Sequence, residues 1–237
     1  MIAVIILLVL GAIMSAIFIV SKVVNYSLKT IILKTIASLF FVALGIVCFC
    51  LSGTGHFLFK LLIVLGLFFG MLGDLFLGFK YITTKTKNMW ILLGMFAFLL
   101  GHVFYIVGLF VGFYVPGNEL CLILPVLVPV SFICIYMIIA NKVGINFGKG
   151  MIPFAISYLF CLTCMVTTSL CMACLHGFSL PTLIMFFVGS VCFATSDCML
   201  TGAYFKPGKR SGAYMATYSV FYYVAQFVIA FSLFFLL

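Results

Sequence analysis

Residues 57–79 read FLFKLLIVLGLFFGMLGDLFLGF, and this stretch decides the fold. It carries only Lys60 and Asp74 as charges and is long enough, at ~1.5 Å of rise per residue, to cross a hydrocarbon core ~30 Å thick as a helix. Its apolar positions do not alternate with polar ones, which sets aside the strands of a membrane barrel. In lipid the backbone must satisfy its own hydrogen bonds, and a helix does so within one segment. Gly66, Gly70, Asp74 and Gly78 recur every four residues, so one face of this helix is small and polar and belongs against other helices.

Outward from this stretch the rest of the chain repeats the pattern. Apolar runs of spanning length fall at 1–20, 31–51, 57–79, 89–114, 119–140, 151–175, 181–205 and 213–237. They predict an all-α, polytopic membrane protein, a bundle of about eight transmembrane helices. Composition agrees: of 237 residues 67% are hydrophobic and 6% charged, too few charges to clothe a water-soluble globule. The connections are short and no Pro/Ser-rich linker or charge block interrupts them, so residues 1–237 read as a single transmembrane domain. The first twenty residues resemble a signal-peptide core. No Lys or Arg precedes Ile2, however, and the run is long enough to span, so it reads as the first helix. Most of the ten cysteines lie inside apolar runs, where a free thiol packs as a small hydrophobe, and no disulfides are expected.

The net charge of +9 comes from basic residues scattered singly or in small groups, a pattern unlike a nucleic-acid surface. They read instead as topology signals. Lys22, Lys29 and Lys34 follow the first run; Lys80, Lys85 and Lys87 the third; Lys142 and Lys149 the fifth; Lys206, Lys209 and Arg210 the seventh. Only Lys60 falls on the other side, so eleven of twelve basic residues sit on alternate loops. By the positive-inside rule those loops face the cytosol and both termini face away from it, in a bacterial plasma membrane or the endoplasmic reticulum.

The chain has three acidic residues, Asp74, Glu119 and Asp197. Glu119 lies in a short outward connection, where a carboxylate is solvated. Asp74 and Asp197 lie inside spans, where an aspartate costs roughly 2.5–3.5 kcal/mol on insertion scales and usually marks function. Counting back from Lys80 and Lys206, each is ~9–14 Å from the cytosolic end, so they share one depth and one leaflet. Ser190, Ala194, Asp197 and Thr201 form a second small or polar stripe. The bland alternative is that both carboxyls only pin helices together by hydrogen bonds.

His102 is the one histidine well inside a span, with Tyr105 a turn later on a similar face. Ser219, Tyr222 and Gln226 enter the last span from the cytosolic side at helical spacing. His56 and His176 lie near outward ends, which argues against a multi-histidine zinc hydrolase. Cys161, Cys164, Cys171 and Cys174 look like paired CxxC motifs, but on one straight helix the pairs are ~15 Å apart and cannot share an ion. No metal site is expected. These residues leave two classes open: an enzyme using the two aspartates for acid–base catalysis, or a proton-coupled small-molecule carrier using the same aspartates as a relay. A short echo between Gly73-Asp74-Leu75-Phe76-Leu77 and Ser196-Asp197-Cys198-Met199-Leu200, on runs of the same direction, allows two four-helix halves in parallel.

Those two motifs, with Gly94-Met95-Phe96-Ala97-Phe98-Leu99-Leu100-Gly101-His102-Val103-Phe104-Tyr105 and Tyr222-Tyr223-Val224-Ala225-Gln226, resemble in content and order the YhhN family of lysoplasmalogenases. The resemblance runs from the second helix to the eighth. It implies about eight helices and hydrolysis of the vinyl ether bond of lysoplasmalogens to a fatty aldehyde and glycerophosphoethanolamine or glycerophosphocholine. It implies a lysophospholipid and water as reactants, surrounding membrane lipid, and no cofactor. One carboxyl can stay protonated as acid while its partner activates water. The expected catalytic residues are Asp74, Asp197 and His102, with Lys34, Tyr105, Ser196, Tyr222, Tyr223 and Gln226 against the substrate and Lys34 on the lipid phosphate. The family often shows Lys-Pro at the start of the second helix; this chain has Lys34-Thr35.

Overall fold

The computed structural model describes residues 1–82, 85–148, 150–208 and 210–236. Its elements are α1 (Ile2–Val24), α2 (Leu28–Leu51), α3 (Phe57–Phe79), α4 (Lys87–Phe113), α5 (Leu120–Lys142), α6 (Ile152–Leu175), α7 (Pro181–Phe205) and α8 (Gly212–Ser232), the last closed by a 3-10 turn at Leu233–Phe235. All eight are long and apolar enough to cross a membrane, as in a multi-pass integral membrane protein. Lys149, Lys209 and Leu237, which bear on the expected topology and the last span, lie outside the described residues.

The expected boundaries hold within a few residues, and the largest shifts have a local cause. α1 runs on to Val24 and α2 starts at Leu28 because the polar link between them is itself helix-ending chemistry. Ser27 and Thr30 form a reciprocal capping box, with the Ser27 N–H donating to Thr30 Oγ1 at 3.2 Å. At Lys34-Thr35 the helix is unbroken, and the Thr35 hydroxyl donates to the Ile31 carbonyl at 3.0 Å. Proline stands in the first turn of α6 and of α7, where its missing N–H has no intrahelical partner to lose.

α3 packs on α4, α7 on α8, α1 on α2, α5 on α6, α2 on α3 and α6 on α7. The α3–α4 contact is a backbone contact: a Cβ at Gly101 would stand 3.0 Å from the Gly66 carbonyl oxygen, so only small residues permit this approach. Between the halves, α4 packs on α6 and α2 on α8, the relation expected if helices one to four correspond to five to eight. α3 and α7 thereby bring Asp74 and Asp197 to the walls of one cavity. α1 and α5 bury the smallest share of their spans, leaving broad apolar faces for lipid.

Lys60, the basic residue that departs from the topology pattern, is buried near the start of α3. Its ammonium donates to the Ser52 and Gly53 carbonyls at the end of α2, so it caps a helix.

Candidate active site

Asp74 is buried on α3, and its carboxylate has three partners from two other helices. Ser38 of α2 donates to Oδ2 at 2.5 Å and Tyr222 of α8 donates to the same oxygen at 2.7 Å. Lys34 of α2 pairs with Oδ1 at 2.8 Å and also reaches the Asp74 carbonyl at 3.4 Å. Ser38 and Lys34 are one turn apart on α2, which aims both at the same face. Behind Tyr222 a second layer holds it in place: Gln226 Nε2 donates to Tyr222 Oη at 3.2 Å, and Tyr105 of α4 donates to Gln226 Oε1 at 3.2 Å. Gly70 makes room for that amide, since a Cβ there would stand 2.6 Å from Gln226 Nε2.

Asp197 is buried on α7 in a different setting. Tyr158 of α6 donates a short hydrogen bond to its Oδ2, and no cation pairs with it among the described residues. The Thr201 hydroxyl donates to the Asp197 backbone carbonyl at 2.8 Å, and Ser196 ties α7 to α8 through the Tyr218 carbonyl at 2.8 Å. The expected grouping of His102 with the aspartates is met only in part. Its buried ring stands edge-on to Tyr158, with centroids 5.3 Å apart, and to Phe193 at 4.9 Å. Neither ring nitrogen hydrogen-bonds a described residue, so His102 packs behind the partner of Asp197 and touches neither carboxyl.

Two adjoining cavities meet at these groups. One, the more polar of the two, is lined by Lys22, Lys34, Asp74, Tyr218, Tyr222 and Tyr223. The other lies among α4, α6 and α7 and is walled by Met95, Phe147, Ala155, Tyr158, Leu159 and Phe205. Leu77, Phe98, Asp197, Leu200 and Tyr204 border both, which puts the Asp197 carboxyl at the junction of a polar chamber and an apolar one.

The structure therefore gathers Asp74, Asp197, Lys34, Ser196, Tyr222 and Tyr223 around one space, with Tyr105 and Gln226 as supports one layer out. Lys34 lies on Asp74, where the sequence suggested a lipid phosphate. Ser38, Tyr158, Lys22, Lys80, Tyr204 and Tyr218 join the site without having been singled out. For Tyr158 the sequence alone carries no signal; the packing of α6 on α7 brings it to Asp197.

Just past the end of α3, Lys80 is 5% exposed and lies over the faces of Tyr81, at 4.6 Å, and Tyr204. Burial pushes its ammonium well below the usual lysine range, and the charges of Lys34, Lys22 and Lys87 push the same way. Tyr81 stacks on Tyr26 at 3.9 Å, and burial raises its hydroxyl to about 12. At the opposite end of the bundle His56 stacks on Phe113 at 5.0 Å and His176 Nε2 bonds the Phe113 carbonyl at 3.0 Å. Among the described residues no three His, Cys, Asp or Glu side chains converge as a metal would require.

In chemical terms the arrangement is a carboxylate anchored by a cation and two hydroxyls, facing the same space as a carboxyl that a tyrosine alone holds. Comparison with curated proteins and with solved structures gives no match. The model of the YhhN family, in contrast, matches residues 30–233, from the start of α2 to the end of α8, and on that match the chain belongs to the YhhN family.

Proposed function

We propose that this protein is a membrane-embedded hydrolase of the lysoplasmalogenase type, cleaving the vinyl ether bond of a lysophospholipid to a fatty aldehyde and a glycerophospho-base. One observation carries the reading: two buried aspartates with unlike partners face a single cavity, and one of them stands where that cavity adjoins a more apolar one. A lysoplasmalogen has the same division, with a headgroup at one end, an alkenyl chain at the other and the reactive bond between.

The unlike partners assign the roles. Asp74, paired with Lys34 and bonded by two hydroxyls, is the carboxylate, since its charge is matched. Among the described residues Asp197 has only the Tyr158 hydroxyl, and a buried carboxyl without a counter-ion is held most cheaply as the neutral acid. Asp197 gives its proton to the alkene carbon remote from oxygen, and the adjacent carbon becomes an oxocarbenium ion. Water adds there as Asp74 takes its proton, forming a hemiacetal. An oxocarbenium ion needs water placed more than it needs water ionised, and the Asp74 charge stabilises the cation as it forms. Collapse of the hemiacetal passes the Asp74 proton to the departing glycerol oxygen and returns the hydroxyl proton to Asp197. One water is consumed and both side chains are restored.

The polar chamber lies toward the ends of α1, α3 and α7 whose loops carry the basic residues. The headgroup thus meets the site from the cytosol, with both termini on the far side of the membrane. The test is aldehyde release from 1-alkenyl lysophosphatidylethanolamine by purified protein, beside Asp74→Asn and Asp197→Asn. Loss of aldehyde in both folded variants supports the reading. Near-normal release from either one ends it.

A further inference from the structure

Lys22 of α1 and Lys34 of α2 line the polar chamber, and Lys80, at the end of α3, lies over Tyr204, which borders it. Lys34 is matched by the Asp74 carboxylate at 2.8 Å. Among the described residues the other two are not matched by any anion. Lys22 Nζ ends on the neutral Ser219 hydroxyl at 2.7 Å and over the Tyr218 face at 4.0 Å. Lys80 has the faces of Tyr81 and Tyr204 and no carboxylate. Nor can the protein supply one. Of its three acidic residues Asp74 is taken, Asp197 is deeper and tied to Tyr158, and Glu119 is exposed at the outward start of α5. Holding an uncompensated ammonium out of water costs several kcal/mol, so two of them around one chamber make a site that lacks its anion.

We propose that Lys22 and Lys80 are the receptor for the phosphate ester of the lipid substrate, with Lys34 reserved for Asp74. The class of anion follows from the donors: two ammonium groups suit a tetrahedral oxyanion through charge-assisted hydrogen bonds, while the Ser219 hydroxyl, which donates to the Met215 carbonyl at 2.8 Å, holds Lys22 in place. The amine end of a headgroup, by contrast, has nothing to meet. No free carboxylate is in reach, and the rings that would cradle a quaternary ammonium are covered, Tyr218 by Lys22 and Tyr204 by Lys80. α8 sets the spacing. Ser219 takes the Lys22 hydrogen bond and Tyr222 donates to Asp74, three residues or ~4.5 Å of rise apart, a span like that of the glycerol carbons between phosphate and vinyl ether.

For the choice of lipid this inference rests on the proposed hydrolase, so the test reads binding and not turnover. Purified full-length protein in detergent is titrated with 1-O-alkyl lipids, which lack the cleavable double bond: alkylglycerol, alkylglycerophosphate and alkylglycerophosphoethanolamine. Inorganic phosphate and glycerol 3-phosphate are titrated in parallel. Both phospholipids should bind at least about tenfold tighter than alkylglycerol, the phosphomonoester tightest. Lys22→Gln and Lys80→Gln should each remove most of that gain and leave alkylglycerol affinity unchanged. Lys22→Arg should keep the gain, and the exposed Lys29→Gln should alter nothing. Equal affinity for alkylglycerol and the phospholipids, or equal loss on all three in the glutamine variants, overturns the assignment. Binding of inorganic phosphate or glycerol 3-phosphate as tight as that of the lipids overturns the headgroup as the source of the phosphate. Wild-type protein that shows this binding pattern yet releases no aldehyde from the alkenyl lipid fails the hydrolase reading alone.

Discussion

Lys34→Met is the perturbation that separates the two roles open to this lysine. The Lys34–Asp74 pair is 2.8 Å long with side chains 13% and 2% exposed, so solvent screens it little. Removing one member leaves a buried carboxylate facing only Ser38 and Tyr222, and breaking a buried pair in this way costs about 3–5 kcal/mol. Removing both, in Lys34→Met with Asp74→Asn, takes away the unmatched charge, so the double variant should recover most of that loss. The resulting coupling energy, from a double-mutant cycle on unfolding in detergent, should be at least ~2 kcal/mol. Aldehyde release completes the assay. As the counter-ion of a catalytic carboxylate, Lys34 should affect kcat and leave KM for the lysolipid within about threefold, whereas a phosphate anchor would shift KM first. Single and double variants that unfold alike, or a single variant whose only defect is a KM raised tenfold or more, would refute the counter-ion assignment.

The remaining predictions test the supports. Tyr158→Phe removes the one hydrogen bond to the Asp197 carboxyl and should lower kcat at least about tenfold with the protein still folded; His102→Phe, which keeps the ring and removes the nitrogens, should cost less than about threefold, as fits a packing role. Gly70→Ala drives a methyl into the Gln226 amide, so kcat should fall through loss of Tyr222 placement while lysolipid affinity holds. Lys60→Met uncaps α2 on the outward side, and melting should show a loss of about 1.5–3 kcal/mol with activity per folded molecule unchanged. Reporter enzymes fused to the loops after α1, α3, α5 and α7 should be active only in the cytosol, and those after α2 and α4 only outside.

Most of the fold was legible because lipid leaves so few solutions: an apolar run of spanning length must be a helix, and charge alternation counts the crossings. The ends were less legible, since the residues that place them, Ser27 and Thr30, act through a cap that hydropathy does not register. Within the site, Asp74 and Asp197 stood out because an intramembrane carboxyl is expensive wherever it sits. Their partners did not, for a tyrosine in a cysteine-rich run or a serine in an apolar helix costs little and signals nothing alone. Tyr158 becomes significant only when α6 is laid against α7. Lys22 and Lys80 misled in the other direction: the topology rule accounted for them fully, and only the structure shows their ammonium groups turned inward.

The internal echo explains why the two aspartates differ. Each sits on the third helix of its half and takes its main partner from the second, Lys34 and Ser38 of α2 for Asp74, Tyr158 of α6 for Asp197. Cross-packing of α2 on α8 and α4 on α6 then lets the other half reach in, as Tyr222 does to Asp74. A layout that repeats places two carboxyls at one depth, and the proposed reaction needs them in different protonation states, an acid and a base together. The difference lies in the partners: a lysine and two hydroxyls around Asp74 and, among the described residues, one tyrosine on Asp197. A cation in both halves would hold two carboxylates and leave no proton to give; a tyrosine in both would leave neither charge matched. On the proposed mechanism the asymmetry of the partners, more than the aspartates themselves, is what would let one carboxyl act as acid and the other as base.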